Sequence, residues 1–223
     1  MAGTSDDRRG PDEETRRTER ATERLTIFSD AVVAIAMTLL AIDLPVPEGN
    51  TVSAFWTSFR HNDGHYAAFL ISFAVIAGAW TDHHDLFRYV TGTDARTRTY
   101  NMGWLLTIVL VPFATRMLIV SGQSIGTHAL RFGFYALLQL LEAAALYAML
   151  RHMVSRGLIE ASPQTIKRIG RTSVNMMIGY GLSIPVFFAT TYAWVLWIIT
   201  PLLAGRLRRL RHPDSPPRTA RDT

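Results

Sequence analysis

Apolar residues in this chain gather into long runs separated by short polar segments, and the lengths of those runs decide what kind of protein it is. From Leu25 to Leu44, about twenty residues carry no charge except at Asp30 and Asp43. A helix of that length, rising about 1.5 Å per residue, crosses a hydrocarbon core of roughly 30 Å. Comparable runs cover His65 to Thr81, Thr99 to Val120 and His128 to Leu150. Between Arg171 and Arg206 lie 34 residues without a charge. A single helix there would be about 51 Å long, so two shorter spans joined by a tight turn near Ala189–Tyr192 fit better. The pattern predicts six membrane-spanning helices, an all-α polytopic membrane protein.

The polar segments read as connections. Pro45-Val46-Pro47-Glu48-Gly49-Asn50 ends the first span in a turn. Residues 51–60 form a short amphipathic stretch at the outer interface, with Phe55 and Trp56 as its apolar contacts. Pro112 is expected to kink the third span, Ser121 to Ser124 make a tight outer loop, and Ser162-Pro163 marks a helix start. Residues 1–23 form a polar tail expected to be mostly disordered, with the part from about Thr18 extending the first helix inward. Its many Asp and Glu residues and the late apolar run argue against a signal peptide. Residues 24–206 form the membrane domain, and 207–223 a basic tail.

Charge then gives orientation. Of the 23 Lys and Arg residues, all but Arg60, Arg116 and Arg131 fall before span one, between spans two and three, between four and five, or after six. The positive-inside rule places both termini in the cytoplasm. Because the spans were located by hydropathy alone, this one-sided distribution supports the count of six. It also accounts for the net charge of +5 without a nucleic-acid partner, since no Arg-rich stretch is interleaved with aromatics for base stacking. The lipid bilayer is the expected partner. Absence of Cys excludes disulfides and thiol chemistry. No Walker, Ser-His-Asp or His-Glu-x-x-His pattern occurs, so neither an enzyme nor a cofactor is expected.

Several polar side chains lie within the spans. Asp30 sits roughly 7 Å inside the inner end of span one, where a carboxylate is costly unless partnered. The up-and-down topology brings Ser29, Asp30, Trp80, His83, His84 and Asn101 to similar depth. Indole, imidazole and amide N–H groups are suitable donors for a carboxylate. A zinc site from Asp82, His83, His84 and Asp85 is the alternative, although adjacent helical histidines point about 100° apart. Further along span one, Ile35, Leu39 and Ile42 fall within about 60° on a helical wheel, with Thr38 at the border. Such a stripe by itself fits helix packing or lipid contact. Glu142, with Gln139 one turn before it, reads either as interhelical polar glue or as a proton relay. Asp43 and Glu48 lie at the outer end of span one. Arg116, in the outer half of span three, either snorkels outward or pairs with one of those acids.

Arg24-x-x-x-Phe28-Ser29-Asp30, followed by Ala-Ile-Ala-x-Thr-Leu-Leu, resembles the first transmembrane helix of the transmembrane protein 175 family. Trp80-x-x-His83-His84, Asn101 and Pro112-Phe113 are similar to features of its second and third helices, and the likeness spreads across most of residues 24–206. The resemblance implies passive conduction of potassium ions through a cell (inner) membrane channel. Since the motif occurs once, it also implies a single-repeat chain assembling as a homotetramer around a pore lined by the first helix. In that family the Arg-x-x-x-Phe-Ser-Asp motif is tied by hydrogen bonds that hold the pore helix. Positions matching Ile35, Leu39 and Ile42 line the narrowest part, and the one matching Thr38 is implicated in cation preference. No Thr-Val-Gly-Tyr-Gly filter is present, so selectivity would come from a side-chain constriction. In four copies Asp43 would concentrate cations at the outer mouth. A proton-coupled transporter using Glu142 and an accessory membrane protein without a pore remain as other classes.

Overall fold

The computed structural model describes residues 10–120 and 124–189. In chain order the helices are α1 (Gly10–Ile42), α2 (Val52–His61), α3 (Asp63–Phe87), α4 (Ala95–Ile119), α5 (Ile125–Arg156) and α6 (Pro163–Ala189). Four of them, α1 from Arg16 onward, α3, α4 and α5, are long and apolar enough to cross a membrane. The expected fifth span begins within α6. The sixth span, the turn near 189–192, the 207–223 tail, residues 1–9 and the 121–123 part of the outer loop lie outside the described residues.

Local chemistry explains where the helices start and stop. Asp94 caps α4 by accepting from the Thr97 N–H at 2.7 Å, and Ser162 accepts from the Thr165 N–H at 3.2 Å just before Pro163 opens α6. Gly157, in the left-handed region at φ 66°, closes α5. After α1, Gly49 takes φ 141°, and a Cβ there would stand 2.7 Å from the Phe55 nitrogen, so the turn onto α2 requires glycine. Short α2 buries none of its residues, and Phe55 and Trp56 are exposed, as an interfacial helix requires.

Helix α1 starts at Gly10, ahead of Thr18, so the charged stretch from Gly10 to the first span is helical. Such a segment cannot form a core, but it needs none: it extends a helix already nucleated by the apolar run. Exposed Arg17 and Glu13 lie one turn apart at 3.8 Å, a weak contribution.

Helix α4 is central, packing against α1, α3 and α5, and α6 lies against α5. Its Trp104, Ile108, Val111 and Ala114 are buried, together with Ile76 and Leu86 of α3 and Tyr135 and Met149 of α5. Lipid is as apolar as leucine, so helices adhere here through close packing and polar contacts rather than through the hydrophobic effect. One such contact is a buried hydroxyl cluster. The Tyr135 hydroxyl donates to Ser72 Oγ at 3.1 Å, and the Thr115 hydroxyl lies 2.8 Å from the same atom.

At the inner end the two connecting loops clasp each other. The Thr91 N–H donates to the Leu158 carbonyl at 3.0 Å, and the Glu160 N–H to the Tyr89 carbonyl at 2.8 Å. His152 Nε2 lies 2.8 Å from Asp94 Oδ2. The Asp94 carboxyl is held well below the usual carboxylate range, chiefly by the Thr97 backbone N–H, with His152 adding to it. Thr18 of α1 packs so closely on this loop that a Cβ at Gly92 would stand 2.8 Å from its methyl group. The inward extension of α1 is thereby seated on the scaffold.

Candidate functional site

Two faces of α1 have opposite fates. Ser29, Val33, Ala36 and Leu40, spaced four, three and four residues apart, form one buried face. The other carries Ile35, Leu39 and Ile42, which are 59%, 41% and 77% exposed in the protomer. Thr38 is exposed beside them and donates its hydroxyl to the Ile35 carbonyl at 2.8 Å. Phe28 stands seven residues before Ile35, so it continues the same face inward, and it is also exposed. A branched aliphatic stripe about two turns long is thus left uncovered, while the side behind it is fixed.

The fixing is polar and directional. Ser29 donates its hydroxyl to the Leu25 carbonyl at 2.8 Å, so its oxygen is left to accept. It accepts from Asn101 Nδ2 at 2.9 Å, which turns the Asn101 carbonyl oxygen toward His83 Nε2, 2.8 Å away. That nitrogen must therefore carry the proton, which sets the tautomer. His83, Asn101 and Ser29 are all fully buried. The His83 ring lies near-parallel to Trp104 at 4.1 Å and to Phe87 at 4.3 Å. Two such rings can only occupy its opposite faces, so the imidazole is sandwiched. Nearer the protomer surface, Trp80 Nε1 donates to Asp30 Oδ1 at 2.8 Å, and His84 leans on Trp80 with ring centroids 5.4 Å apart.

These positions fall within a recognised stretch. A family model described as the endosomal/lysosomal potassium channel TMEM175 matches residues 24–112. A potassium channel of Streptomyces collinus is 32% identical over 134 residues, 60% of this chain and 65% of that one. A potassium channel of Chamaesiphon minutus is 37% identical over 106 residues, 44% of this chain and 49% of that one. Among solved structures, the crystal structure of a lysosomal potassium-selective channel TMEM175 homolog from Chamaesiphon minutus aligns with a TM-score of 0.68. It is 26% identical, over 84% of this chain and 98% of that one. The chain thus resembles the TMEM175 family over residues 24–112 and shares the fold of its Chamaesiphon minutus homolog. With four helices long and apolar enough to cross a membrane on that fold, it is a multi-pass membrane protein, and the family it resembles is one of ion channels. The chain spans less than two thirds of the length of either potassium-channel relative.

Within the TMEM175 motif the residues divide. Ser29, His83 and Asn101 form the buried part, and Asp30 and Trp80 the half-exposed part. Phe28 and Arg24 are exposed on α1, and Arg24 has no hydrogen bond or ion pair among the described residues. His83 and His84 point to different partners, and the described residues bring no three metal-ligating groups together. At the outer end, Arg116 Nε stands 3.3 Å from Asp43 Oδ2, tying α4 to α1, while Glu48 is exposed. Glu142, on α5, is buried and accepts from Trp104 Nε1 at 2.6 Å. Sequence reasoning passed over Trp104. The signal was its spacing: it lies three residues after Asn101, on the same face of one helix.

Proposed function

We propose that this chain is one subunit of a potassium-selective channel, a homotetramer of the cell (inner) membrane with both termini cytoplasmic, whose four α1 helices surround the conduction path. The observation that carries this reading is the Ile35, Leu39 and Ile42 stripe, exposed among the described residues, on a helix held from behind by buried hydrogen bonds. A stripe destined only for lipid would not need its helix fixed in rotation. Around an axis, four copies make stacked apolar rings, with Ile35 nearest mid-span as the tightest.

An ion entering those rings sheds water without carbonyl oxygens to replace it, so passage is limited by dewetting and desolvation. Potassium, less strongly hydrated than sodium, meets the lower barrier. The Thr38 hydroxyl hydrogen is engaged by the Ile35 carbonyl, which leaves the Thr38 oxygen lone pairs for a passing cation. Asp43 adds less at the outer mouth than a free carboxylate would, because Arg116 stands beside it.

Purified full-length protein in liposomes tests the reading by comparing fluxes of potassium, sodium and a large organic cation, with the assembly mass measured in detergent. Passive potassium flux exceeding sodium flux, from a four-chain particle, is expected. Flux driven by a pH gradient would favour a proton-coupled transporter using Glu142. No flux at all would leave an accessory membrane protein.

A further inference from the structure

The buried network does not stop at His83. Trp104, fully buried at the centre of α4, presents its ring to the imidazole and its Nε1–H to Glu142 on α5. From α5 to α1 there is therefore one continuous chain. Glu142 Oε1 accepts from Trp104 at 2.6 Å, and the indole stacks on His83 at 4.1 Å with 18° between the planes. His83 donates to Asn101 at 2.8 Å, and Asn101 donates to Ser29 at 2.9 Å. The His83–Asn101–Ser29 hydrogen bonds have a defined direction, because Ser29 ends them on a backbone carbonyl. Neighbouring Gln139 has no hydrogen-bond partner for its amide among the described residues. Tyr180 and Asp82 interact with the Glu142 carboxyl group electrostatically, and Trp104 holds it by a hydrogen bond.

We propose that Glu142 and Trp104 are positioning residues for the pore helix: their hydrogen bond fixes the indole plane, the indole fixes the His83 ring, and His83 through Asn101 fixes the rotation of α1 and hence the aim of Ile35. The inference rests on the reading of α1 as the pore helix. An indole without its partner can pivot about its two side-chain torsions, and a tilted indole no longer lies flat on the imidazole. The His83–Asn101 bond must then lengthen, or the face of α1 must turn. Scaffold and pore are coupled through packed and hydrogen-bonded side chains, the kind of contiguous connection that carries coupling between separated sites.

The test uses the full chain and exploits its lack of Cys. Ile35→Cys in an otherwise unaltered chain should form inter-subunit disulfides under mild oxidation, an outcome that depends only on the pore-helix reading. Added to that background, Glu142→Leu and Trp104→Phe should each slow disulfide formation. In the Ile35 parent each should shift relative potassium over sodium permeability, read from the reversal potential, by roughly threefold to tenfold. Glu142→Gln should restore most of both, since its amide oxygen still accepts from the indole. The Glu142→Leu, Trp104→Phe double variant should be no worse than the more affected single variant, as for residues acting as one unit. Should Glu142→Leu fail to assemble, Trp104→Phe, which keeps an aromatic ring but loses the N–H donor and the pyrrole part of the indole, decides alone. Efficient Ile35→Cys crosslinking with unchanged rate and reversal potential in Trp104→Phe would overturn the proposal. No crosslinking in the Ile35→Cys parent would instead overturn the pore-helix reading.

Discussion

Asn101 donates its side-chain amide to Ser29 Oγ across 2.9 Å, and this single buried bond joins the central helix α4 to α1 at the inner ends of both. Because Ser29 already spends its proton on the Leu25 carbonyl, the Asn101 amide has one orientation only. The pore-helix reading depends on that lock, and so do the substitutions that test it.

Ser29→Ala leaves the Asn101 amide donor buried and unpaired, at a cost of roughly 1–3 kcal/mol. Asn101→Leu strands both Ser29 and His83 and should cost more. Thermal denaturation of the purified assembly should rank the parent above Ser29→Ala, and Ser29→Ala above Asn101→Leu. Equal stability of all three would mean that the network carries no load in the folded protein.

Asp30→Ala should lower assembly yield and flux more than Asp43→Ala does. Asp30 is the acceptor for Trp80, whereas Asp43 pairs with an Arg116 side chain that is 66% exposed, where solvent leaves a pair worth about 0–1 kcal/mol. Side-by-side yields by size-exclusion chromatography, with potassium flux per assembled particle, make the comparison.

Ile35→Asn should let water into the constriction, raising single-channel current and weakening discrimination between potassium and sodium. Thr38→Ala removes an oxygen beside the path but little bulk, so it should move the reversal potential more than the current. Recordings under a potassium/sodium gradient separate the two. An unchanged current and reversal potential in a folded Ile35→Asn assembly would exclude α1 from the pore wall.

The inner clasp predicts a pH dependence. Asp94 is held below its usual range in the folded protein, so its stabilising contribution is fully present above the unfolded value of about 4 and is lost as pH falls below it. Melting temperature in detergent should drop through that acid window in the parent and drop less steeply in Asp94→Asn, which cannot titrate. Parallel curves for the two would assign the acid sensitivity elsewhere.

Run length against membrane thickness decided much of this protein in advance. Helices α3, α4 and α5 lie where predominantly apolar stretches long enough to cross a bilayer occur, because lipid forces every backbone group to be bonded within its own helix. Depth was legible too: antiparallel spans put Ser29, His83 and Asn101 at one level before any contact was known. Periodicity marked the Ile35, Leu39 and Ile42 face of α1 as separate from that of Ser29. What periodicity cannot convey is which side chains on facing helices meet, since that depends on helix rotation and separation to within an ångström or two. Tertiary structure alone decided that Ser29, rather than Asp30, is the fully buried partner of Asn101, and that Arg116 meets Asp43. It alone carried α1 inward to Gly10. It alone gave Glu142 its partner, because an indole nitrogen on one helix and a carboxylate on another leave no shared trace in either segment until the two are packed together.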